Sequence, residues 1–287
     1  MSPATVDCAQ CQKPFSAGRA DAKYCSNTCA KAASRVMEKV QKAILKVEDA
    51  GYTIRRASEL APTTFISTGH KELDSLTGGF PRKRITEIYG LPSVGKSTLM
   101  LQTISNMDQA MKVLYIDAEN SLSPEWISRL GVDPTWLDVA DPILLEDAIE
   151  LTLKSLPFYD LIVFDSVGAI LFKTEEATEV GTANIGVKAK LMTSFMRRLI
   201  GPLARSEASI VFVNQQKEVI GNMYGPQKYT PGGKALEYAA SLRLELVSNK
   251  VDRITKGGEK VGKKVTAKIT KNKVGTPDRE AQFLITY

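Results

Sequence analysis

Short apolar runs, each followed by glycine or by polar residues, alternate along the chain with segments whose apolar residues recur every three to four positions. Four such runs begin at Thr86, Val113, Asp160 and Ala208. Continuous apolar runs of this length are typical of strands buried on both faces, and the longer spacing is typical of amphipathic helices. The alternation predicts an α/β fold with a mostly parallel central sheet, whose ligand lies at the carboxyl ends of the strands.

A separate helical pattern precedes these runs. Between Ala30 and Ala50, apolar residues recur at helical spacing on one face, and Gly51 ends the predicted helix. The apolar face requires a partner surface, which is either a core of the same chain or a neighbouring subunit. We therefore predict three parts: residues 1–30, a small module; residues 31–60, a helix and linker that contact the core or another subunit; and residues 61–287, the main α/β core.

Composition fits this division. The chain has 287 residues, of which 43% are hydrophobic, and this is enough for one large core and a small appendage. No apolar run approaches the roughly 20 residues of a membrane span, and the N-terminus lacks the layout of a secretion signal. We expect a soluble, cytoplasmic protein without a membrane partner.

Positive charge is concentrated at the two ends of the chain. The net charge is +6, with ten basic and six acidic residues in 1–60, and ten basic and four acidic residues in 248–287. Basic ends favour contact with a polyanion such as nucleic acid. The alternative is that the charge serves solubility alone.

All four cysteines, Cys8, Cys11, Cys25 and Cys29, lie within the first 29 residues. The spacing Cys-x2-Cys-x13-Cys-x3-Cys allows four thiolates to converge tetrahedrally on Zn²⁺. Two disulfides are the alternative, but they fit a secreted protein better than a chain without a secretion signal. The arrangement resembles a treble-clef zinc finger, and such fingers bind DNA, bind protein, or stabilise only their own helix.

The first apolar run leads into a phosphate-binding motif, GxxxxGK[ST], which is followed by an apolar helical pattern. Its glycines let backbone N–H groups face phosphates, Lys96 is expected to reach the β- and γ-phosphates, and Ser97 to bind Mg²⁺. We predict that the whole loop binds nucleotide: Gly90, Leu91, Pro92, Ser93, Val94, Gly95, Lys96, Ser97 and Thr98.

Polar residues also end the other three runs. Asp165 follows four apolar residues and is the candidate carboxylate on the Mg²⁺ side of an ATP site. Glu119 is a candidate base for the water that attacks the γ-phosphate, although acids at strand ends also serve as helix caps. Gln215 is expected near the γ-phosphate, because the carboxyl ends of parallel strands meet at one edge of the sheet.

These motifs together resemble the RecA family from about Thr63 to Tyr287 in order and spacing. The most discriminating stretches are 221–225 and 230–236, which resemble the second DNA-binding loop of that family and its following helix. The resemblance implies that Glu119 is the catalytic base and that Gln215 senses the γ-phosphate and passes its state to the DNA loop. It also implies that Trp126, where the family usually has Tyr, stacks on adenine.

Near the C-terminus, Lys271 and Lys273 resemble a pair of family lysines that reach the neighbouring subunit's phosphates. Alternate positions of a strand face the same side, so both cations can act together. Supplied in trans, they would make ATP hydrolysis depend on assembly. A solvated basic strand is the alternative.

The resemblance also implies a DNA-binding surface formed by two loops and the helices that follow them. Basic side chains there would neutralise phosphates without reading sequence. Ile185 and Ile220 would wedge between base steps, unless they face the core. The full set is Ile185, Lys188, Lys190, Arg197, Ile220, Met223, Tyr224, Gly232, Gly233 and Lys234.

Taken with the basic ends and the cysteine cluster, the resemblance implies a recombinase that uses ATP, Mg²⁺ and Zn²⁺. Its partners would be single-stranded and double-stranded DNA, copies of itself in a helical filament, and single-strand-binding and mediator proteins. Two alternatives stay open. Residues 271–275 loosely resemble the KNRFG motif of RadA-type branch-migration ATPases, which form rings, and an ATP-gated DNA-binding scaffold would have little turnover.

Overall fold

The computed structural model describes residues 5–17, 21–49, 54, 56–176, 186–218, 228–249 and 253–287. The chain divides into two compact units, Met1–Pro62 and Thr63–Tyr287. None of the helices in the described ranges combines the length and the hydrophobicity needed to cross a membrane.

The first unit consists of a hairpin and a long helix. Strands β1 (Thr5–Asp7) and β2 (Pro14–Ser16) pair antiparallel, and helix α1 runs over Asn27–Asp49, followed by a 3₁₀ turn at Ala57–Glu59. The predicted helical periodicity thus corresponds to α1. Its apolar positions Val36 and Val40 are 52% and 47% exposed, so within this unit the apolar face lacks a full covering.

The second unit contains the predicted α/β core. Its strands are β3 Phe65–Ile66, β4 Phe80–Pro81, β5 Ile85–Gly90, β6 Val113–Asp117, β7 Leu137–Ala140, β8 Leu161–Asp165, β9 Ser209–Gln215, β10 Lys217–Glu218, β11 Lys228–Tyr229, β12 Leu242–Val247, β13 Arg253–Lys256, β14 Glu259–Asn272 and β15 Arg279–Thr286. Its helices are α2 Lys71–Thr77, α3 Lys96–Ser105, α4 Pro124–Arg129, α5 Leu145–Ser155, α6 Lys173–Glu176, α7 Val187–Arg205 and α8 Lys234–Ala239.

Nine strands of the described chain form one sheet in the order β13-β14-β12-β5-β9-β8-β6-β7, with β15 paired to β14. The pairs from β12 to β7 are parallel, and the pairs made by β14 are antiparallel. The prediction of a mostly parallel α/β sheet is confirmed. Both faces of the central strands are buried, which explains their continuous apolar runs.

The register of the parallel strands gathers the polar residues that follow them. Asp117 lies opposite Asp165, and Gly90 lies opposite Gln215. Alternate residues point to opposite faces, so Tyr115 and Val163 pack in one hydrophobic cluster, and Ile116, Ile162 and Phe164 pack in the other. Apolar side chains fill both faces of the sheet, so the polar residues that could bind a ligand lie at its carboxyl edge.

Candidate active site and nucleic-acid interface

The phosphate-binding loop connects β5 to α3 with a backbone that only glycine can adopt comfortably at one position. Gly95 has φ of 106°, and a Cβ there would lie 2.7 Å from Ile285 Cδ1. Helix α3 begins at the next residue, Lys96, and the N–H of Leu99 donates to the Gly95 carbonyl. The loop therefore ends at a helix N-terminus, whose free N–H groups favour an anion.

Lys96 is folded into this loop. Its ammonium donates to the carbonyls of Gly90 at 3.2 Å and Leu91 at 3.0 Å, and the residue is 8% exposed. Burial lowers its pKa, whereas the carboxylates of Asp165 and Glu119 act to raise it. The cation thus lies between the loop and the acids at the strand ends.

Asp165 and Ser97 are in direct contact. The Ser97 hydroxyl donates to Asp165 Oδ2 at 2.5 Å, and the Tyr115 hydroxyl donates to the same oxygen at 2.7 Å. Burial raises the pKa of Asp165, and these two hydrogen bonds oppose that rise. A carboxylate and a hydroxyl side by side are the oxygen ligands that Mg²⁺ prefers.

Glu119 is held by the ends of two other strands. Its Oε1 accepts a hydrogen bond of 2.6 Å from the Ser166 hydroxyl and one of 2.8 Å from Gln215 Nε2. Neither of these two contacts caps the helix that follows Glu119, which was the alternative role for this acid. Its carboxylate instead joins residues that follow β6, β8 and β9.

These side chains share one cleft of about 400 Å³. Its lining includes most of the predicted loop together with the candidate base, metal ligand and sensor: Pro92, Ser93, Gly95, Lys96, Ser97, Thr98, Glu119, Asp165, Gln215, Lys263 and Tyr287. The carboxyl edge of the sheet therefore forms a polar site large enough for a phosphate chain.

Trp126 lies beside this cleft rather than among its lining residues. It sits in the first turn of α4, where its N–H donates to the Ser123 hydroxyl at 3.2 Å. Its ring centroid is 6.3 Å from that of Tyr287, which does line the cleft. The two rings form an aromatic edge next to the phosphate loop, on which a flat base can pack.

Lys271 and Lys273 lie away from the cleft of their own chain. Lys271 is in β14 and Lys273 is one residue beyond its end, yet both ammonium groups donate to the Tyr238 carbonyl, at 3.0 Å and 3.2 Å. Lys271 also donates to the Glu237 carbonyl at 2.5 Å, and burial lowers its pKa. The two cations do point the same way, and they meet at the C-terminus of α8.

A buried polar network connects Gln215 to the segment before α8. Asn214 is fully buried, and its Nδ2 donates to the Pro231 carbonyl at 3.0 Å and to Glu87 Oε1 at 3.2 Å. Glu87 is paired in turn with Arg243, whose Nε lies 2.6 Å from Oε2. The residue next to the candidate sensor is thus bonded to the start of a candidate DNA-binding segment.

The predicted DNA-binding side chains on α7 differ in orientation. Lys190 and Arg197 are exposed and line one groove of about 560 Å³. Arg198 lines it as well, and its guanidinium pairs with Glu150 at 2.6 Å. Lys188 instead points inward, because its ammonium donates to the Ile170 carbonyl at 2.6 Å.

Gly232 and Gly233 bring the second predicted segment onto α7. Both have positive φ, and a Cβ on Gly233 would lie 2.9 Å from the Cβ of Ala189. Lys234, at the start of α8, is exposed. The base of one segment therefore lies beside Lys190, while Ile185, Ile220, Met223 and Tyr224 lie outside the described residues.

The four cysteines of the first unit converge. Their Sγ atoms all lie within 4.8 Å of one another. The Cys25 N–H donates to Cys8 Sγ at 3.3 Å and is the largest of the effects that lower the pKa of Cys8 to about 6. Hydrogen bonds with the neighbouring thiols, chiefly that of Cys29, raise the pKa of Cys25 to about 12, because they favour its protonated form. Four sulfur ligands at this separation fit a tetrahedral Zn²⁺ ion.

Sequence reasoning missed several residues of the cleft. Lys263 lies in the antiparallel strand β14 and Tyr287 directly follows β15, both outside the recognised motifs. Tyr115, which donates to Asp165 of the cleft, was assigned only to a buried strand. Lys263 is buried whereas the adjacent Lys264 is exposed, and residue type alone does not distinguish the two. The Glu87–Arg243 pair was missed as well, since neither residue ends an apolar run.

Comparison with known proteins agrees with this geometry. A family model described as the RecA N-terminal domain matches residues 31–287. Protein RecA of Acidothermus cellulolyticus is 38% identical over 257 residues, which are 86% of this chain and 74% of the relative. Protein RecA of Aquifex pyrophilus is 39% identical over 81% of this chain and 68% of its own, and that of Caldanaerobacter subterraneus is 41% identical over 77% and 66%. On this similarity, and with the fold and cleft described above, the chain belongs to the RecA family of recombinases.

Proposed function

We propose that this protein is a DNA-dependent ATPase that assembles as a helical filament on single-stranded DNA and promotes homologous pairing and strand exchange in recombination and repair. The observation that carries the proposal is the contact of Gln215 with Glu119, combined with that of the adjacent Asn214 with Pro231. These contacts connect the acid of the nucleotide cleft to a segment that packs beside the basic groove of α7. The relatives named Protein RecA support the same function.

In the nucleotide cleft, each side chain has a distinct task. The loop N–H groups and Lys96 bind the phosphates, and Ser97 and Asp165 hold Mg²⁺, which when bound neutralises charge on the β- and γ-phosphate oxygens. Glu119 accepts the proton of the attacking water. Trp126 packs on the adenine. Gln215 senses the γ-phosphate, and loss of that phosphate changes its contact with Glu119.

Lys271 and Lys273 act on the nucleotide of the neighbouring subunit. They lie at the end of their strand, away from the cleft of their own chain, and their ammonium groups are close together. Two cations delivered by a neighbour stabilise the charge of the transition state only after assembly. Hydrolysis is thereby restricted to the filament.

DNA binds along the groove of α7 and the segment before α8. Lys190, Arg197 and Lys234 contact phosphates, and Gly232 and Gly233 let the backbone approach the strand closely. Ile185, Ile220, Met223 and Tyr224 belong to the same surface in this proposal. Lys188 contributes after its contact with the Ile170 carbonyl is released.

The first unit is a zinc finger that helps load duplex or partner DNA. The ion is held by Cys8, Cys11, Cys25 and Cys29. Zinc binding requires reduced thiols, and the protein therefore works in the cytoplasm.

The half-exposed apolar positions of α1 pack on a neighbouring subunit of the filament. Single-strand-binding and mediator proteins regulate access to DNA.

The proposal is tested by phosphate release in the presence and absence of single-stranded DNA. Lys96→Ala and Glu119→Gln are expected to abolish the stimulation, whereas the exposed controls Lys268→Ala and Glu259→Gln retain it. Absence of stimulation by any DNA would favour the ATP-gated scaffold. Electron microscopy of the complex with ATP and DNA distinguishes the recombinase from the other alternative, a branch-migration ATPase. Helical filaments would indicate the recombinase, and closed hexamers would indicate the branch-migration ATPase.

A further inference from the structure

Lys263 is a buried cation of the nucleotide cleft that has no role in the proposed ATP site. It lies in β14, opposite Arg253 of β13 and Ile285 of β15. The residue is 9% exposed and lines the same cleft as Lys96 and Glu119. Its neighbour in the strand, Lys264, is exposed. One of two consecutive lysines is therefore directed toward the phosphate loop.

The contacts of Lys263 place its ammonium against that loop. Its Nζ donates to the backbone carbonyl of Ser93, and its Cε lies 3.3 Å from the position of a Cβ on Gly95. A carbonyl oxygen satisfies one of the three N–H donors but carries no formal charge. The positive charge is thus brought to the loop without being neutralised by this partner.

The surroundings of Lys263 disfavour its charge. Burial is the main cause that lowers its pKa, and the nearby guanidinium of Arg253 adds to it. Lys263 in turn lowers the pKa of Lys96, so the two ammonium groups of the cleft repel each other. A buried cation is costly unless an anion pairs with it. A ligand that brought several negative charges between the two lysines would relieve both costs.

We propose that Lys263 is a further nucleotide-binding residue, supplied by the same chain, whose ammonium contacts the phosphate chain of the bound nucleotide. This inference rests on the proposed ATP site and deepens it. The site then has a cation on each side of the loop, Lys96 and Lys263, before any neighbouring subunit contributes. The contact with Ser93 holds the side chain near the position that it occupies when nucleotide binds.

The test compares two neutralising variants of consecutive residues, Lys263→Met and Lys264→Met, by fluorescence titration with N-methylanthraniloyl ATP and ADP without DNA. Both remove one positive charge from β14, so they match in net charge. Lys263→Met is expected to bind both nucleotides roughly tenfold more weakly, the loss of one charge-assisted hydrogen bond, and Lys264→Met to bind like the wild type. Lys263→Arg, which keeps the charge, is expected to bind more tightly than Lys263→Met.

Thermal unfolding of the nucleotide-free proteins separates ligand binding from a structural task. Lys263 has no acidic partner among the described residues, so loss of this buried cation should leave the melting temperature of Lys263→Met equal to or above that of the wild type. A lower melting temperature together with equally poor binding by Lys263→Arg would mean that Lys263 only fastens the loop, and would overturn the inference. Wild-type affinity in Lys263→Met would overturn it as well.

The variant Lys96→Ala distinguishes failure of this inference from failure of the proposed function. If Lys96→Ala loses nucleotide binding while Lys263→Met keeps it, the ATP site stands and Lys263 has no part in it. If the wild-type protein does not bind ATP, the proposed function itself fails.

Discussion

The side-chain amide of Gln215 donates a 2.8 Å hydrogen bond to the carboxylate of Glu119, a residue 96 positions earlier in the chain. Glu119 follows β6 and Gln215 ends β9, and β8 lies between them in the sheet. The same carboxylate oxygen also accepts a hydrogen bond from Ser166, which follows β8. The candidate base is thus held by hydrogen bonds from a residue that follows β8 and a residue that ends β9.

Gln215→Ala is expected to uncouple hydrolysis from DNA. The variant keeps the loop, Lys96 and Asp165, so it should bind ATP nearly as well as the wild type. It loses the donor to Glu119, so stimulation of phosphate release by single-stranded DNA should fall roughly tenfold or more, the usual scale of coupling between two sites. Phosphate release measured with and without DNA checks this. Full stimulation in Gln215→Ala would show that the contact with Glu119 does not carry the signal.

The buried pair Glu87–Arg243 is expected to matter far more for stability than an exposed pair. Glu87 is fully buried, so Arg243→Met would leave an uncompensated charge in the core and should cost about 3–5 kcal/mol of the free energy of unfolding. Lys83→Met, which removes a partner of the largely exposed Glu207, should cost less than about 1 kcal/mol. Urea unfolding of both variants measures the difference.

A second substitution serves as the control for the buried pair. Glu87→Gln in the Arg243→Met background removes the orphaned charge, and much of the stability should return. Equal costs for Arg243→Met and Lys83→Met would contradict this description of the Asn214–Glu87–Arg243 network.

The sequence predicted the parallel half of the core better than the antiparallel half. Strands β6, β8 and β9 are buried on both faces, so each contains an apolar run that ends in a recognisable polar residue, and β5 leads into the phosphate-binding motif. In strand β14 the buried residues Val265, Ala267 and Ile269 alternate instead with more exposed residues. Nothing in the composition of the strand separates Lys263 from Lys264. Which lysine enters the cleft depends on the register with β13 and β15, and this is a tertiary property.

Removal of zinc is expected to unfold the first unit and leave the second intact. Four thiolates within 4.8 Å repel one another without a cation. Cys25→Ser should therefore reduce the zinc content, measured by mass spectrometry of the metal, from about one ion per chain to well below that. Nucleotide binding by the core should be unchanged. A protein purified without zinc, whose circular dichroism does not respond to a chelator, would contradict this assignment.

The role of the finger in DNA loading has its own test. Deletion of residues 1–30 should slow the pairing of duplex DNA while leaving ATP hydrolysis on single strands near the wild-type rate. Unchanged pairing and unchanged DNA binding in the deletion variant would rule out a loading role.

Lys190 and Arg197 are expected to bind phosphates without reading sequence. Lys190→Ala and Arg197→Ala should each weaken binding equally for all single strands, and each should reduce the slope of log affinity against log salt by about 1. Arg198→Ala is the matched control, because its guanidinium is already paired with Glu150. Fluorescence anisotropy at several salt concentrations measures the slopes. A larger effect from Arg198→Ala than from Arg197→Ala would contradict the proposed groove.

Mixing two inactive variants tests whether Lys271 and Lys273 act in trans. The double variant Lys271→Ala/Lys273→Ala keeps its own base, and Glu119→Gln keeps its lysines. At mixed interfaces where the first variant holds ATP and the second supplies the lysines, the site is complete. Phosphate release should therefore reappear on mixing. Continued inactivity of the mixture, although each variant binds ATP and DNA, would place the lysines in the site of their own chain.

The DNA-binding surface could be predicted only in part from residue types. The resemblance to the RecA family implied that basic residues of this helix bind phosphates, and Lys190 and Arg197 do share a groove. Lys188 has the same charge and lies on the same helix, yet it points toward the Ile170 carbonyl. Its direction depends on a neighbouring loop that the helical pattern does not contain.

Strand exchange between a single-stranded DNA and a homologous duplex, with ATP and Mg²⁺, tests the central claim most directly. The account predicts joint molecules that require ATP and homology and that are absent with Lys96→Ala. A wild-type protein that hydrolyses ATP and coats single strands, but never forms joint molecules with homologous duplex, would contradict it.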